Sequence, residues 1–421
     1  MANIYLAWQK KNNLYMNFMK KLMILGGSRY ILPVIKEAHK LGVYVITADY
    51  LPNNIAHKYS NEYVNVSIID KEATLFEAKK RKIDGIMSFA CDPGVVTAAY
   101  VADKLGLPSA GPYDSVCILQ NKGRFRAFLR ENGFNVPISK AYKDIDEALK
   151  DIDVFNWPVI VKPTDSAGSK GVTKVVDKNQ LQAAIEHALA FSHCGEFIIE
   201  DFLLQKGFSS DCDSFSLNGK MALWGFDSQR FDKKADNPYT PAGYSWPSSI
   251  SNDNLVYLKK EIQRLLTLLK LETSVFNIEV RECVNGKPYI MELTPRGGGN
   301  RLSEMMQIIT GTNIIENTVR AALNMPLNLK KEKKMEGYLA EVILHSESTG
   351  FFDRLYISDD IKENVIEEDL WIKQGDKVNG FSGANEAVGT LVLKFETKEK
   401  QDIVMDNIDD YVRIIVKKEL L

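Results

Sequence analysis

The chain reads as a mixed α/β protein with α+β character: a doubly wound parallel sheet comes first, and a small β-rich domain comes last. Three observations support this reading. At 421 residues the chain is too long for one ordinary domain, and two to three are expected. Residues 20–115 alternate short apolar strands with helices that stop at glycine, the rhythm of βαβ units. Residues 336–421 are patterned mainly for strands, at 337–344 and 387–395, and hold few residue types that do chemistry.

In the N-terminal domain, 19–115, strands are expected at 21–25, 43–47 and 85–89. Helices are expected at 33–41, stopped by Gly42, and at 94–105, stopped by Gly106. Gly26-Gly27 with Asp49 resembles part of a dinucleotide fingerprint, but the full Gly-x-Gly-x-x-Gly is absent. A tight strand-to-helix turn, with backbone amides free to meet a substrate anion, is the better reading. Residues 1–18 contain no compact apolar stretch and no small-residue cleavage site. They are expected to be an extension of little structural consequence ahead of a natural-looking start at Met19.

Composition narrows the function. With 45% hydrophobic and 26% charged residues and a net charge of −2, nothing favours nucleic-acid or membrane partners. No apolar run reaches the roughly 18 residues that a spanning helix needs. The five cysteines show no Cys-x-x-Cys spacing, so they read as reduced thiols of a cytoplasmic protein.

The middle of the chain carries the chemistry. A helix is expected from Asn121 through Leu129, ending near Gly133, and another at 144–150. Residues 157–163 form an apolar strand carrying Lys162, which needs an anion or a local ion-pair partner when buried. Residues 164–172, Thr-Asp-Ser-Ala-Gly-Ser-Lys-Gly-Val, do not match the Walker pattern. They suit a mobile flap whose amides and hydroxyls close on phosphates. After a helix at 180–191, residues 196–203 form a strand entering a turn suited to gripping a nucleoside. A hairpin is expected from 209–217 and 220–229 around Asn218-Gly219. A long loop, 230–249, follows, with Tyr239, Tyr244 and Trp246 placed for binding. Helix 254–270 leads to a second hairpin.

That second hairpin is the most informative feature. Its strands, 275–281 and 289–294, flank Asn285-Gly286, a strong cue for a two-residue loop. Such a loop sets Glu279 opposite Glu292 and Asn277 opposite Thr294. Two carboxylates roughly 5 Å apart repel unless a hard cation bridges them, and Mg²⁺ commonly shares such ligands with phosphates. The alternative is a solvated hairpin with Arg281 diagonal to Glu292. Pro295-Arg296-Gly297-Gly298-Gly299-Asn300-Arg301 follows at once and suits anionic oxygens beside a metal. Helices at 302–310 and 313–323 and a lysine-rich linker, 330–334, complete the region.

The ordered set formed by Lys122, Lys162, the flap, the strand Glu-Phe-Ile-Ile-Glu-Asp-Phe-Leu and the acidic hairpin resembles the ATP-grasp superfamily. Within it the resemblance is to carboxylate–amine ligases and carbamoyl-phosphate-synthase-like proteins, and it extends over about 20–330. It implies an ATP-grasp domain at 116–330 with a flap subdomain at about 137–203, and a C-terminal cap at 336–421. By position, Lys122 and Lys162 would contact ATP, and Ser166, Gly168, Ser169, Lys170 and Gly171 would form the phosphate flap. Glu200 with the backbone of Asp201, Phe202 and Leu203 would hold adenine. Glu279 and Glu292 would hold one or two Mg²⁺ ions, with Mn²⁺ an acceptable substitute. Arg296 and Lys162 would act on the transferring phosphoryl group. Thr294 stands where the family often has an asparagine ligand. The usual ribose acid falls near Ser209, leaving Asp211 or Asp213 as substitutes. Arg230, Tyr239, Tyr244, Gly298, Asn300 and Arg301 are candidate substrate selectors. The implied reaction turns a small carboxylate into an acyl phosphate and joins it to an amine; a homodimer is an allowed assembly. A bicarbonate-activating enzyme and an ATP-binding module without catalysis are the alternatives, the second supported by Thr294.

Overall fold

Apolar runs buried on both faces assemble the first domain. Strands β1 (Lys21–Leu25), β2 (Tyr44–Asp49), β3 (Glu62–Asn65) and β4 (Gly85–Ser88) pair in parallel in the order β3-β2-β1-β4. Helices Leu32–Lys40 and Lys71–Arg81 make crossovers between these strands, and helix Val95–Leu105 follows β4. Helix Lys71–Arg81 escapes sequence reading because charge dominates it and only Thr74, Leu75 and Ala78 are buried. The computed structural model describes residues 19–166, 168–232, 234–235, 239–330 and 335–418. The expected extension 1–18, Ala167 of the flap and residues 331–334 of the linker lie outside the described residues.

A second sheet follows. Strands β5 (Ser139–Tyr142), β6 (Val159–Pro163), β7 (Thr173–Val175) and β8 (Phe197–Asp201) pair antiparallel in the order β5-β8-β6-β7. Inward-facing Val159, Val161, Phe197 and Ile199 bury against Leu181 and Ile185 of helix Leu181–Ala190. The glycine-rich segment 164–172 is the tip between β6 and β7.

The third group of strands is β9 (Ser210–Leu217), β10 (Lys220–Leu223), β11 (Ser228–Phe231), β12 (Pro241–Trp246), β13 (Ser274–Glu282) and β14 (Pro288–Thr294). Four of these form the sheet β10-β9-β13-β14. One face of that sheet is apolar: Phe276, Ile278, Val280 and Leu293 pack on Leu258, Ile262 and Leu265 of helix Asn252–Leu268. The other face is polar and carries the site.

Two sequence expectations change here. The hairpin return strand ends at Leu223 rather than Gln229, because Ser228 and Gln229 belong to β11 in a different sheet. The supposed loop 230–249 contains β12. Its opening Pro-Ala-Gly hides the strand pattern, and Tyr244 and Trp246 bury against Leu339 and Ile343, about a hundred positions later.

The C-terminal strands are β15 (Tyr338–Leu344), β16 (Gly350–Ile357), β17 (Val365–Leu370), β18 (Lys377–Val378), β19 (Gly389–Phe395) and β20 (Val412–Lys417). The order β11-β12-β15-β19-β17 makes a five-stranded sheet, and β18-β16-β20 makes a smaller one. The β-rich end of the chain is therefore not a free-standing cap. Its main sheet is completed by two strands from before the lysine-rich linker.

Candidate active site

On the polar face of β9, β13 and β14, register aligns side chains in rows. Asp211, Glu279 and Glu292 lie opposite one another across the three strands, and the next row is Asp213, Asn277 and Thr294. The opposition of Glu279 and Glu292 is as the sequence predicts, but the turn that produces it differs. Cys283 N donates to the Lys287 carbonyl at 3.0 Å, and Gly286, at φ +80°, closes a three-residue loop of Val284, Asn285 and Gly286. The extra loop residue shifts pairing by one, giving Val280 opposite Ile290 and Arg281 opposite Tyr289. A bulge at Met291 then shifts it back, so the register beyond is the one a two-residue loop would give.

A buried arginine holds this bulge in place. Arg126 Nη1 donates to the Met291 carbonyl at 2.9 Å, and its Nε donates to Glu200 Oε1 at 2.6 Å. Glu200 Oε2 accepts from Lys162 Nζ at 2.8 Å. Burial alone would raise the Glu200 carboxyl, but Arg126 and Lys162 outweigh it and hold it down at about 2. Both Glu200 oxygens are thus engaged by cations.

Lys122 bridges the flap and the acids. It begins helix Lys122–Glu131, capped by Asn121, whose Oδ1 accepts from Arg124 N at 2.9 Å. Its Nζ donates to the Ser166 carbonyl at 2.9 Å and stands 4.0 Å from Glu292 Oε2. Burial pushes Glu292 up, but Lys122, Arg296, Lys162 and Arg126 together bring it below the usual carboxylate range. Arg281 pairs with Glu279 at 3.4 Å instead of Glu292, and its Nε donates to Ser209 Oγ at 3.0 Å. In the flap, Gly168 and Lys170 are exposed while Ser166 and Ser169 are half-buried. Gly168, Ser169 and Gly171 are left-handed, so the tip turns sharply. Asp165 anchors its base by accepting from His193 N and Cys194 N at 3.0 and 2.8 Å.

The loop after β14 is fixed from below and from the side. Asp213 Oδ1 accepts from Gly298 N at 2.8 Å and from Asn277 Nδ2 at 3.2 Å. A Cβ on Gly298 would meet Leu302 at 2.7 Å and Asn277 at 2.9 Å, and one on Gly297 would collide with the Phe89 ring. Arg296 reaches across to the first domain, where Nε donates to Asp92 Oδ1 at 2.8 Å and Nη2 lies 2.7 Å from the same oxygen. Asp92 sits just past β4, so the parallel sheet aims the arginine.

Oxygen donors and excess negative charge suit a hard cation. Burial, then Glu279, push Asp211 up to about 7, with Arg296 pulling the other way. Asp227 is fully buried, and its Oδ2 has no partner among the described residues. Among the described residues no three His, Cys, Asp or Glu side chains enclose a metal by themselves. An ion on Glu279 and Glu292 would take its other oxygens from phosphate and water, as Mg²⁺ does.

A family model for the ATP-grasp domain matches residues 155–304, the span from the strand bearing Lys162 to the helix after the glycine loop. The chain contains an ATP-grasp domain. It is 26% identical over 257 residues to the carbamoyl phosphate synthase large chain of Pseudothermotoga lettingae, covering 61% of this chain and 23% of that protein. The chain spans less than half the length of the carbamoyl phosphate synthase chains it matches first. The formate-dependent phosphoribosylglycinamide formyltransferase of Wolinella succinogenes is 25% identical over 319 residues, 74% of this chain and 78% of that one. In fold, the L-amino acid ligase of Bacillus licheniformis superposes with a TM-score of 0.76 at 20% identity, over 94% of this chain and 99% of that one.

The structure gathers most of the predicted site residues around this ATP-grasp domain, with several reassigned. Asp211, expected as a substitute for the ribose acid, stands beside Glu279. Thr294 is fully buried, donates to Glu292 Oε1 at 3.4 Å and accepts from Gln120 Nε2 at 3.3 Å, so it orients the acid. Of the substrate candidates, Tyr244 and Asn300 meet at 3.3 Å, Gly298 is pinned by Asp213, and Arg301 pairs with Glu367. Arg230 is elsewhere: it turns to the far face of β11, bonds Ser245 and pairs with Asp402 and Asp406 at 3.4 and 3.3 Å. Sequence reading missed Arg126 and Asp92, and it offered Asp213 as a substitute ribose acid where the structure has it holding Gly298 and Asn277. Arg126 and Asp92 left no local signal, since their partners lie far away in sequence.

Two features of the N-terminal turn also differ from expectation. Gly26 N donates to the Ala48 carbonyl at 2.9 Å, and Asn54 and His57 cover Gly27. Asp49 accepts from Leu51 N and Asn54 Nδ2, both at 3.0 Å. Gly26 N and the Asp49 carboxylate are therefore engaged within their own loop.

Proposed function

We propose that this chain is an ATP-dependent ligase that activates a small carboxylate and joins it to an amine. The observation that carries the reading is the in-register row Asp211–Glu279–Glu292, ringed by Lys122, Lys162 and Arg296. The names of the relatives and the shared fold support it: a formyltransferase and an amino acid ligase are among them.

The residues divide the work. The flap tip and Lys122 close over the polyphosphate, keeping water from the activated intermediate. Lys162, oriented by Glu200, faces the nucleotide phosphates. Mg²⁺ on Glu279 and Glu292 would neutralise charge on the transferring phosphate. Arg296, fixed by Asp92, stabilises the charge that builds on the phosphoryl oxygens. A carboxylate oxygen attacks the γ-phosphorus, the bond to the β–γ bridging oxygen breaks, and ADP leaves. The amine nitrogen then attacks the acyl carbon, the bond to phosphate breaks, inorganic phosphate leaves, and the ammonium proton passes to solvent.

The test is Glu292→Gln. The variant is expected to keep the native melting profile and to lose at least about a hundredfold in carboxylate-dependent ADP release, the scale of one lost electrostatic contact to the transition state. ADP release at the native rate would overturn the reading.

A further inference from the structure

A second row of aligned residues starts where the acid row ends. Gln229, Tyr244, Glu341, Val392 and Glu367 lie opposite one another across β11, β12, β15, β19 and β17. Gln229 Nε2 donates to Asp211 Oδ2 at 3.3 Å, which ties this row to the ATP site. Glu341 lies two strands further on, roughly 10 Å from Gln229 at the usual strand spacing.

Glu341 is out of balance with its surroundings. It is 0% exposed, and neither carboxylate oxygen has a hydrogen-bond partner among the described residues. Arg301, the arginine nearest by charge, is spent on Glu367 Oε1 and Thr390 Oγ1. Glu304 faces the same place, half-buried at the start of helix Leu302–Thr310. Three carboxylates therefore share one guanidinium, and the innermost has no donor at all. A buried, unpaired carboxylate is strongly unfavourable unless it is neutralised or meets a cation. Tyr30, Arg301 and Glu304, which act electrostatically with Glu341, are half-buried, while Glu341 and Tyr244 are buried.

We propose that Glu341, with Glu304 at the rim, seats the primary ammonium group of an amino-acid substrate. Three N–H donors on one compact cation match the two unpaired oxygens of Glu341 and one of Glu304. A planar guanidinium already occupies the Glu367 side. This inference deepens the ligase reading and rests on it for the cation's role as substrate.

The test needs no turnover. Thermal shifts of the full chain with MgADP are measured with L-alanine, β-alanine or γ-aminobutyrate, each against propionate or butyrate, which lack the ammonium group. At least one aminated probe is expected to stabilise the protein beyond its deaminated partner. Glu341→Gln should weaken that probe's apparent affinity at least about tenfold, as expected for losing a charged hydrogen bond, while the MgADP shift persists. If Glu341→Gln does not fold, Glu304→Gln serves in its place, with the same direction of change. The proposal fails if no aminated probe outperforms its partner, or if the substitution leaves the preference intact. Loss of MgADP stabilisation in the unmodified protein would instead remove the ligase reading.

Discussion

Arg126 is buried, yet it joins two parts of the proposed ATP site. Its guanidinium binds Glu200, the partner of Lys162, and the carbonyl of the bulged Met291. Arg126→Met removes the charge and leaves Glu200 and that carbonyl underpaired in the interior. The expected cost is about 3–5 kcal/mol, read from urea unfolding. Glu200 also makes a pH prediction with a definite sign. Its folded-state value is about 2 against an ordinary 4.5, so its contribution is fully present above 4.5 and is lost as pH falls towards 2. The amount is ~3 kcal/mol. Acid titration of stability should therefore be shallower over that window in Glu200→Gln than in the native chain. None of this was legible in the residues around Arg126: it sits on an ordinary amphipathic helix, and its partners lie 74 and 165 positions away.

At the scale of the hairpin, a three-residue turn and a bulge cancel. The acids, the period-2 alternation and the glycine turn were legible because each is local. The sequence reading reached the correct opposition of Glu279 and Glu292 through a loop one residue too short, since Met291 gives no sign of being a bulge until Arg126 is seen bonding its carbonyl. The two deletions are expected to differ sharply. Removing Val284, which is 61% exposed, leaves Asn285-Gly286 as a two-residue turn between Cys283 and Lys287, with the rest of the register unchanged. Its melting temperature should stay within a few degrees of the native value, with nucleotide-dependent stabilisation intact. Removing Met291 takes away the bulge and the carbonyl that Arg126 bonds, while Ile290 and Glu292 close up opposite Val280 and Glu279. That variant should melt below the Val284 deletion in the same thermal assay, because the buried Arg126 is left with an unmet donor.

For the whole molecule, the parallel sheet, the flap segment and the site order could be read in advance, because βαβ rhythm and alternation are short-range. The C-terminal boundary could not. β12 is a weak strand by pattern, and it is stabilised by pairing with β15, at Gly243 with Val342 through Trp246 with Leu339. A chain ending at residue 335 would leave β12 unpaired on that edge and uncover Tyr244 and Trp246. It is expected to aggregate or to show no cooperative melt, as measured by light scattering and calorimetry. Independent folding of that fragment with native-like MgADP stabilisation would show that the last sheet is dispensable.

The pairing of Arg296 with Asp92 also limits how this architecture can be recombined. The arginine at the proposed reaction centre takes its aim from an acid 204 positions earlier, in the first domain. Grafting another parallel-sheet domain onto residues 116–418 would preserve nucleotide capture only. Phosphoryl transfer would require the donor domain to carry a carboxylate just past its last strand, so any inheritance of the two domains as separate pieces is coupled through that single side chain.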